Sequence, residues 1–193
     1  MVDGKINMNH SEDIEVVKNQ AICKFLSLLI DYPTLDKFEK AKKIAQLLVE
    51  SDIIPDYLNE LCEEVIGTQF SEELQADWID MFETSIPPYL LAWVPEKNPA
   101  LLPVLDRIYA SECAYVPQNE MPDNLSCVFE FISLLFSRRK YEKIKAIGKF
   151  LKYIEKMKEP EHKLYGKLVK SIKRFTREII EEVEKLGNKE RGG

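Results

Sequence analysis

Residues 120–125 have the sequence Glu-Met-Pro-Asp-Asn-Leu and begin an apolar stretch with helical spacing at 123–138. Proline suits the first turn of a helix, because the N–H groups of that turn have no partner within the helix. The Asp123 carboxylate would lie over those same N–H groups, at the positive end of the helix dipole. The hexapeptide therefore predicts a helix start.

The helical period continues on both sides of the hexapeptide. Apolar residues recur at spacings of three and four, as in helices with one buried face, and no segment alternates with the two-residue period of a strand. We therefore predict an all-α fold, a single compact helical bundle of about eight helices. Helices are expected near 14–30, 35–48, 56–67, 72–83, 101–109, 123–138, 141–158 and 161–186.

The length of 193 residues suits one domain with its own core. We predict one helical domain over 1–193, with flexible ends at 1–10 and 188–193. No apolar run approaches the roughly 20 residues that span a bilayer, so no stable membrane insertion is expected. The first 15 residues lack the apolar core of a signal peptide, which favours a cytoplasmic location.

Few side chains are available for catalysis or metal binding. The four cysteines form no C-x-x-C pair, and the two histidines, His10 and His162, have no partner at metal-ligand spacing. Neither a glycine-rich phosphate loop nor a nucleophile–base pair is visible. We therefore expect a protein that is not an enzyme, with no catalytic residue, no metal and no cofactor.

The helix expected around 74–83 has two contrasting faces. Leu74, Trp78, Met81 and Phe82 share one face at helical spacing, whereas acidic side chains that include Asp80 occupy another. Such a pattern is typical of a helix that packs its apolar face on the core and exposes its acidic face to solvent.

Helical spacing stops over residues 85–99, which contain four prolines. This irregular segment carries unusually large side chains, among them Tyr89 and Trp93. Such a segment either packs down as structural cover or lines a groove. Because long loops in compact domains are often functional, the groove is the preferred interpretation. A second irregular connection is expected at 116–122.

The helix start at 120–125 also gathers hydrogen-bond acceptors. Glu120, Asp123 and Asn124 fall within one turn, and carboxylates hold arginine guanidinium groups through paired, charge-assisted hydrogen bonds. A well-capped helix start is the simpler explanation. The cluster would nevertheless suit a ligand that contains arginine.

Three motifs, in this order, resemble the TorD/DmsD/NarJ family of redox-enzyme maturation chaperones. The leading helix closes on Leu-Leu-Ile-Asp-Tyr-Pro at 28–33, an acidic helix contains Asp-Trp-Ile-Asp-Met-Phe at 77–82, and Glu-Met-Pro-Asp-Asn at 120–124 matches the family's E-x-P-D-H motif. Asn124 replaces the histidine and Met81 a leucine. The resemblance extends over about residues 14–180.

The resemblance implies an all-helical cytoplasmic chaperone for a molybdenum-cofactor oxidoreductase. Such proteins bind the N-terminal leader of the catalytic subunit, often a twin-arginine signal peptide. They hold the enzyme back from export or membrane docking until its cofactor is inserted. The expected partner is thus the catalytic subunit of a molybdopterin oxidoreductase, and a homodimer is left open. Asn124 can form hydrogen bonds but cannot act as a proton switch near neutral pH.

A leader peptide needs an aromatic-lined groove for its apolar part and carboxylates for its arginines. The aromatic candidates come from the acidic helix and the proline-rich segment, and the carboxylates come from that helix and from the helix start. The predicted peptide-binding residues are Trp78, Asp80, Phe82, Tyr89, Trp93, Glu120, Pro122, Asp123 and Asn124.

An alternative function follows from the uneven distribution of charge. Residues 1–137 contain 9 basic and 24 acidic residues, whereas residues 138–177 contain 15 basic and 4 acidic residues. The basic helices could bind nucleic acid. The net charge of −6 and the lack of a recognisable nucleic-acid motif argue against this, so no nucleic-acid partner is expected.

Overall fold

In the computed structural model, the backbone is described for residues 6–51, 54–95 and 100–190, and the side chains for 12–185 within those ranges. These ranges contain eight α-helices and no β-strand, which confirms the predicted all-α bundle of about eight helices. A π-helical segment, Ile79–Ser85, continues the fourth helix, and two 3₁₀ turns cover Leu90–Ala92 and Lys152–Lys156. The helices are α1 (Ile6–Ile30), α2 (Leu35–Glu50), α3 (Asp56–Gly67), α4 (Glu72–Trp78), α5 (Leu101–Ser111), α6 (Leu125–Ser137), α7 (Tyr141–Leu151) and α8 (Lys163–Glu190).

Helix α6 lies at the centre of the molecule. Nine of its 13 residues are buried, as expected for a helix that is apolar almost all the way round. It packs antiparallel against α1, because Ser133 donates a hydrogen bond to the Gln20 carbonyl at 3.0 Å and Glu130 contacts Lys24 at 2.5 Å. These two helices form the most extensive helix–helix contact of the bundle.

The outer helices bury one face each. Helix α2 packs on α1 and α3 with a stripe spaced by three and four residues, Phe38, Ala41, Ala45 and Leu48. Helix α8 packs against α3 and α7. In its first turn a Cβ on Gly166 would lie 2.6 Å from the carbonyl oxygen of Pro160, so this position requires glycine.

The predicted flexible ends fall partly outside the described residues. Residues 6–10 belong to α1, and residues 188–190 belong to α8, whereas residues 1–5 and 191–193 lie outside the described ranges. The flexibility of these ends stays a prediction. None of the described helices has the length and apolarity needed to cross a membrane.

A partly buried carboxyl group links α1 to the last helix. The amide of Asn19, which is 3% exposed, donates to both carboxyl oxygens of Glu182, at 3.0 and 2.9 Å. The pKa of Glu182 is raised to about 7: burial is the main cause, the negative charge of Glu15 adds to the shift, and Asn19 and Lys18 oppose it. The stability of the α1–α8 contact should therefore depend on pH.

We predict that, as pH rises, the free energy of unfolding falls less in Glu182→Gln than in the unsubstituted protein. The folded carboxyl group keeps its proton up to about pH 7, whereas the group's usual pKa is 4.5. The unfolded chain therefore releases this proton first, and the free energy of unfolding falls as pH rises across that window. Urea unfolding at about pH 5 and about pH 8 measures the difference.

Glu184→Gln provides the control, since Glu184 is exposed on the same helix. This control variant should keep the pH dependence of the unsubstituted protein. If the free energy of unfolding falls equally between the two pH values in Glu182→Gln and in the unsubstituted protein, Glu182 is not the cause of the pH dependence.

Candidate functional site

The described part of the proline-rich segment, residues 85–95, packs down as structural cover. Its backbone bonds directly to the start of α6, with Leu90 N donating to the Asp123 carbonyl at 2.8 Å and Leu125 N donating to the Pro88 carbonyl at 2.7 Å. Ile86 and Leu90 are buried. The predicted groove between this segment and the helix start is therefore closed, because the two expected walls bond to each other.

Two of the predicted groove aromatics belong to the core. Trp78 is 8% exposed and donates its indole N–H to the Ile30 carbonyl at 3.0 Å, and the Phe82 ring lies 5.5 Å from the Trp78 ring. The prediction that Trp78 and Phe82 line an open groove is wrong, because both are buried. Tyr89 is exposed, and Trp93 is half-buried, with its indole N–H bonded to the Pro87 carbonyl at 3.0 Å.

The start of α6 differs from the predicted cap. The helix begins at Leu125, and its N-cap is Asn124, whose side-chain oxygen accepts from Ser126 N at 2.9 Å. Asp123 is 2% exposed, and its carboxylate accepts from Leu91 N at 3.0 Å. This buried carboxylate anchors the proline-rich segment, so the prediction that it faces a ligand is corrected. The Pro122 carbonyl accepts from the Tyr109 hydroxyl at 3.2 Å.

The other two predicted carboxylates, Asp80 and Glu120, are exposed. Asp80 belongs to the π-helical segment, where its backbone carbonyl accepts from the Thr84 hydroxyl. Glu120 accepts a hydrogen bond from the Asn124 amide at 2.8 Å and lines a large open groove, whereas Asp80 is not part of the lining of this groove. Glu120 is the predicted residue that connects the sequence motif to this groove.

The groove has a volume of about 1240 Å³. Its floor is formed by α1 and α6, one wall by α2, and the other wall by residues 112–121, here called the 112–121 loop. Small-molecule pockets occupy about 300–1,000 Å³, so this groove is large enough for a longer ligand. The apolar lining includes Val17, Ala21, Leu47, Tyr115, Phe131 and Leu134.

Large apolar side chains are exposed along this groove. Val17 is 61% exposed, Leu47 is 65% exposed and Tyr115 is 91% exposed. They come from three different elements and line the same concave surface. Contiguous exposed apolar surface of this kind is typical of interaction sites.

Most charges in the groove lining are paired with each other. Lys24 pairs with Glu130 at 2.5 Å and Lys37 pairs with Asp31 at 2.7 Å, while Lys18 pairs with Glu15. Glu120 has the neutral Asn124 amide as its partner. Among the described residues, Glu120 is the carboxylate of the lining that no lysine or arginine neutralises.

Cys127 lies on the groove floor, close to these carboxylates. Burial raises the pKa of its thiol to about 11, and the negative charges of Glu120, Asp31 and Glu130 add to the shift. The thiol therefore stays protonated at neutral pH. Since the thiolate is the reactive form, this environment does not favour nucleophilic chemistry.

Part of the basic region is engaged in ion pairs. Glu112, which is 7% exposed, binds both Arg138 and Lys143, and Glu64 binds both Lys163 and Lys167. These cations therefore stabilise contacts between helices and are not free for phosphate groups. This arrangement gives no support to the nucleic-acid alternative.

The sequence reasoning missed most of the groove. The sequence contains one indication of the groove, which is that some apolar residues stand next to the buried stripes. Leu47 precedes the buried Leu48, and Val17 follows the buried Val16. Such neighbours widen the apolar face beyond what the core needs. Tyr115 gave no periodic signal, because it lies in an irregular connection.

Comparison with known proteins identifies a structural neighbour. No family model matches the chain, and no curated protein matches it. The structure is similar to the crystal structure of a candidate redox enzyme maturation protein from Archaeoglobus fulgidus, with a TM-score of 0.58 and 23% sequence identity. The similarity covers 82% of this chain and 93% of that one. The two proteins share a fold.

We predict that Asp123→Ala destabilises the protein by about 1–3 kcal/mol, because it leaves the Leu91 N–H without its acceptor. Asp123→Asn retains a side-chain oxygen and should recover part of the loss. Urea unfolding provides the measurement. Asp80→Ala, at an exposed carboxylate, should change the free energy of unfolding by no more than about 0.5 kcal/mol. Equal stabilities for Asp123→Ala and Asp80→Ala would refute the anchoring role.

Proposed function

We propose that this protein is a maturation chaperone that binds the N-terminal leader of a redox-enzyme subunit in the groove between α2 and the 112–121 loop. The observation that carries the proposal is the open apolar lining, with Val17, Leu47 and Tyr115 exposed to solvent. The motifs at 28–33, 77–82 and 120–124 support it. So does the shared fold with a protein described as a candidate redox enzyme maturation protein.

The dimensions of the groove suit a helical segment. Its lining runs from Val17 in α1 to Asp31, the residue just after α1, which at about 1.5 Å per residue corresponds to roughly 21 Å. The apolar core of a signal peptide has about 7–15 residues. A helical leader of that length would bury its apolar side against the groove floor, in the helix-in-groove mode of recognition.

The proposed client is the catalytic subunit of a molybdenum-cofactor oxidoreductase, with a leader that often carries a twin-arginine signal. The chaperone would hold this subunit until its cofactor is inserted. Release must follow, so an affinity near micromolar, or about −8 kcal/mol, would serve the cycle better than picomolar binding. An apolar groove with few charged contacts is suited to such moderate affinity.

We predict that Leu47→Asp weakens binding of a leader peptide by about tenfold or more. Burying a leucine side chain contributes about 1.5–3 kcal/mol, and an aspartate at this position would bring a charge onto the apolar lining. Because Leu47 is 65% exposed in the free protein, the loss of stability should stay at about 1 kcal/mol, which is the cost of an aspartate in the last turn of a helix. Fluorescence anisotropy with a labelled synthetic leader measures the binding.

Leu35→Asp is the matched control. Leu35 is also on α2 and is 58% exposed, but it does not line the groove. This variant should bind the peptide as the unsubstituted protein does. A similar loss in both variants, or unchanged binding by Leu47→Asp, would refute the groove as the leader site.

A further inference from the structure

We propose that the leader lies antiparallel to α1, with its positively charged start at Glu120 and its apolar stretch directed towards Val17. This inference rests on the proposed function and adds a fixed direction to it. It follows from the two ends of the groove, which differ in their chemistry.

The packing of the helices defines these two ends. Helix α2 runs back along α1, so Lys37 pairs with Asp31 at one end, while Ser51 and Val17 line the other. Helix α6 also runs antiparallel to α1, as the contacts of Ser133 with Gln20 and of Glu130 with Lys24 show. The start of α6 therefore lies at the Asp31 end.

The 112–121 loop runs along the groove from one end to the other. Its first residue, Glu112, bonds to Arg138 just after the last turn of α6 at 3.0 Å. Its last turn brings Glu120 to the Asn124 cap at the start of α6. Tyr115 therefore belongs to the Val17 end and Glu120 to the Asp31 end. The charges of Glu120 and Asp31 both raise the pKa of Cys127, which agrees with this placement.

The groove is thus polarised from one end to the other. At the Asp31 end, Glu120 carries a negative charge that no described lysine or arginine neutralises. At the other end the large exposed apolar side chains include Val17, Leu47 and Tyr115. A leader has a basic start followed by an apolar stretch. The leader matches the groove when its basic first residues lie at Glu120 and its apolar stretch lies at the Val17 end.

Photocrosslinking to the full chain tests the direction. The probe is a synthetic peptide with two arginines followed by about 12 leucine and alanine residues. Benzoylphenylalanine replaces either the first or the last residue of the apolar stretch, and the crosslinks are mapped by mass spectrometry. We expect the first position to label residues near 31–37 and 117–127. The last position should label residues near 17–21, 47–51 and 114–116.

The charge of Glu120 is tested with the same peptide. Glu120→Gln should weaken its binding about fivefold, the effect of an ion pair worth about 1 kcal/mol. A peptide with both arginines replaced by glutamine should bind the variant and the unsubstituted protein equally. Glu39→Gln, at an exposed acid of α2 outside the lining, should leave both affinities unchanged.

The results of these experiments distinguish a wrong direction of the leader from a wrong binding function. Crosslinks in the reverse order, or from both positions to both ends, would overturn the direction while the proposed binding function stands. The absence of any peptide binding would overturn both. Equal affinity of Glu120→Gln and the unsubstituted protein for the arginine peptide would remove Glu120 as the anchor.

Discussion

The antiparallel packing of α1 against α6 determines both the core and the groove. Helix α1 buries Ile22, Phe25 and Leu26 completely, while Ala21 and Lys24, on another side of the same helix, line the groove floor. Helix α6 does the same, with Phe129 fully buried and other residues facing the groove. One helix pair thus stabilises the fold and provides the surface that we propose binds a leader.

The two irregular connections make opposite contributions to this architecture. The 85–95 segment closes over the start of α6, because the buried Asp123 carboxylate and carbonyl accept from Leu91 N and Leu90 N. The 112–121 loop instead stands away from α2 and is held at its first residue by the ion pairs of Glu112 with Arg138 and Lys143. The segment with more aromatic residues is thus the closed one, and the less conspicuous loop forms a wall of the open groove.

The helices could be predicted from the sequence because the spacing of apolar residues depends only on local geometry. The groove could not, because it depends on which helices pack together. Trp78 and Asp123 were natural candidates for a ligand site, yet tertiary contacts bury both, through bonds to Ile30 and Leu91. In the sequence Leu47 stands out only as an apolar residue beside the buried stripe of α2, and that pattern does not show that it lines a groove, 65% exposed, between α2 and the 112–121 loop. Glu120 was predicted to bind the arginines of a leader; it is exposed and lines a different groove from the predicted one, and its contact with a ligand stays a prediction.

Hydrogen–deuterium exchange of the full chain, with and without a leader peptide, tests the central claim most directly. If the leader binds between α2 and the 112–121 loop, backbone amides in residues 112–121 and in the second half of α2 should exchange more slowly on binding. Amides of residues 85–94 should be unaffected, because that segment is already bonded to the start of α6. Protection confined to residues 85–94, with residues 44–51 and 112–121 unchanged in a saturated complex, would contradict the account.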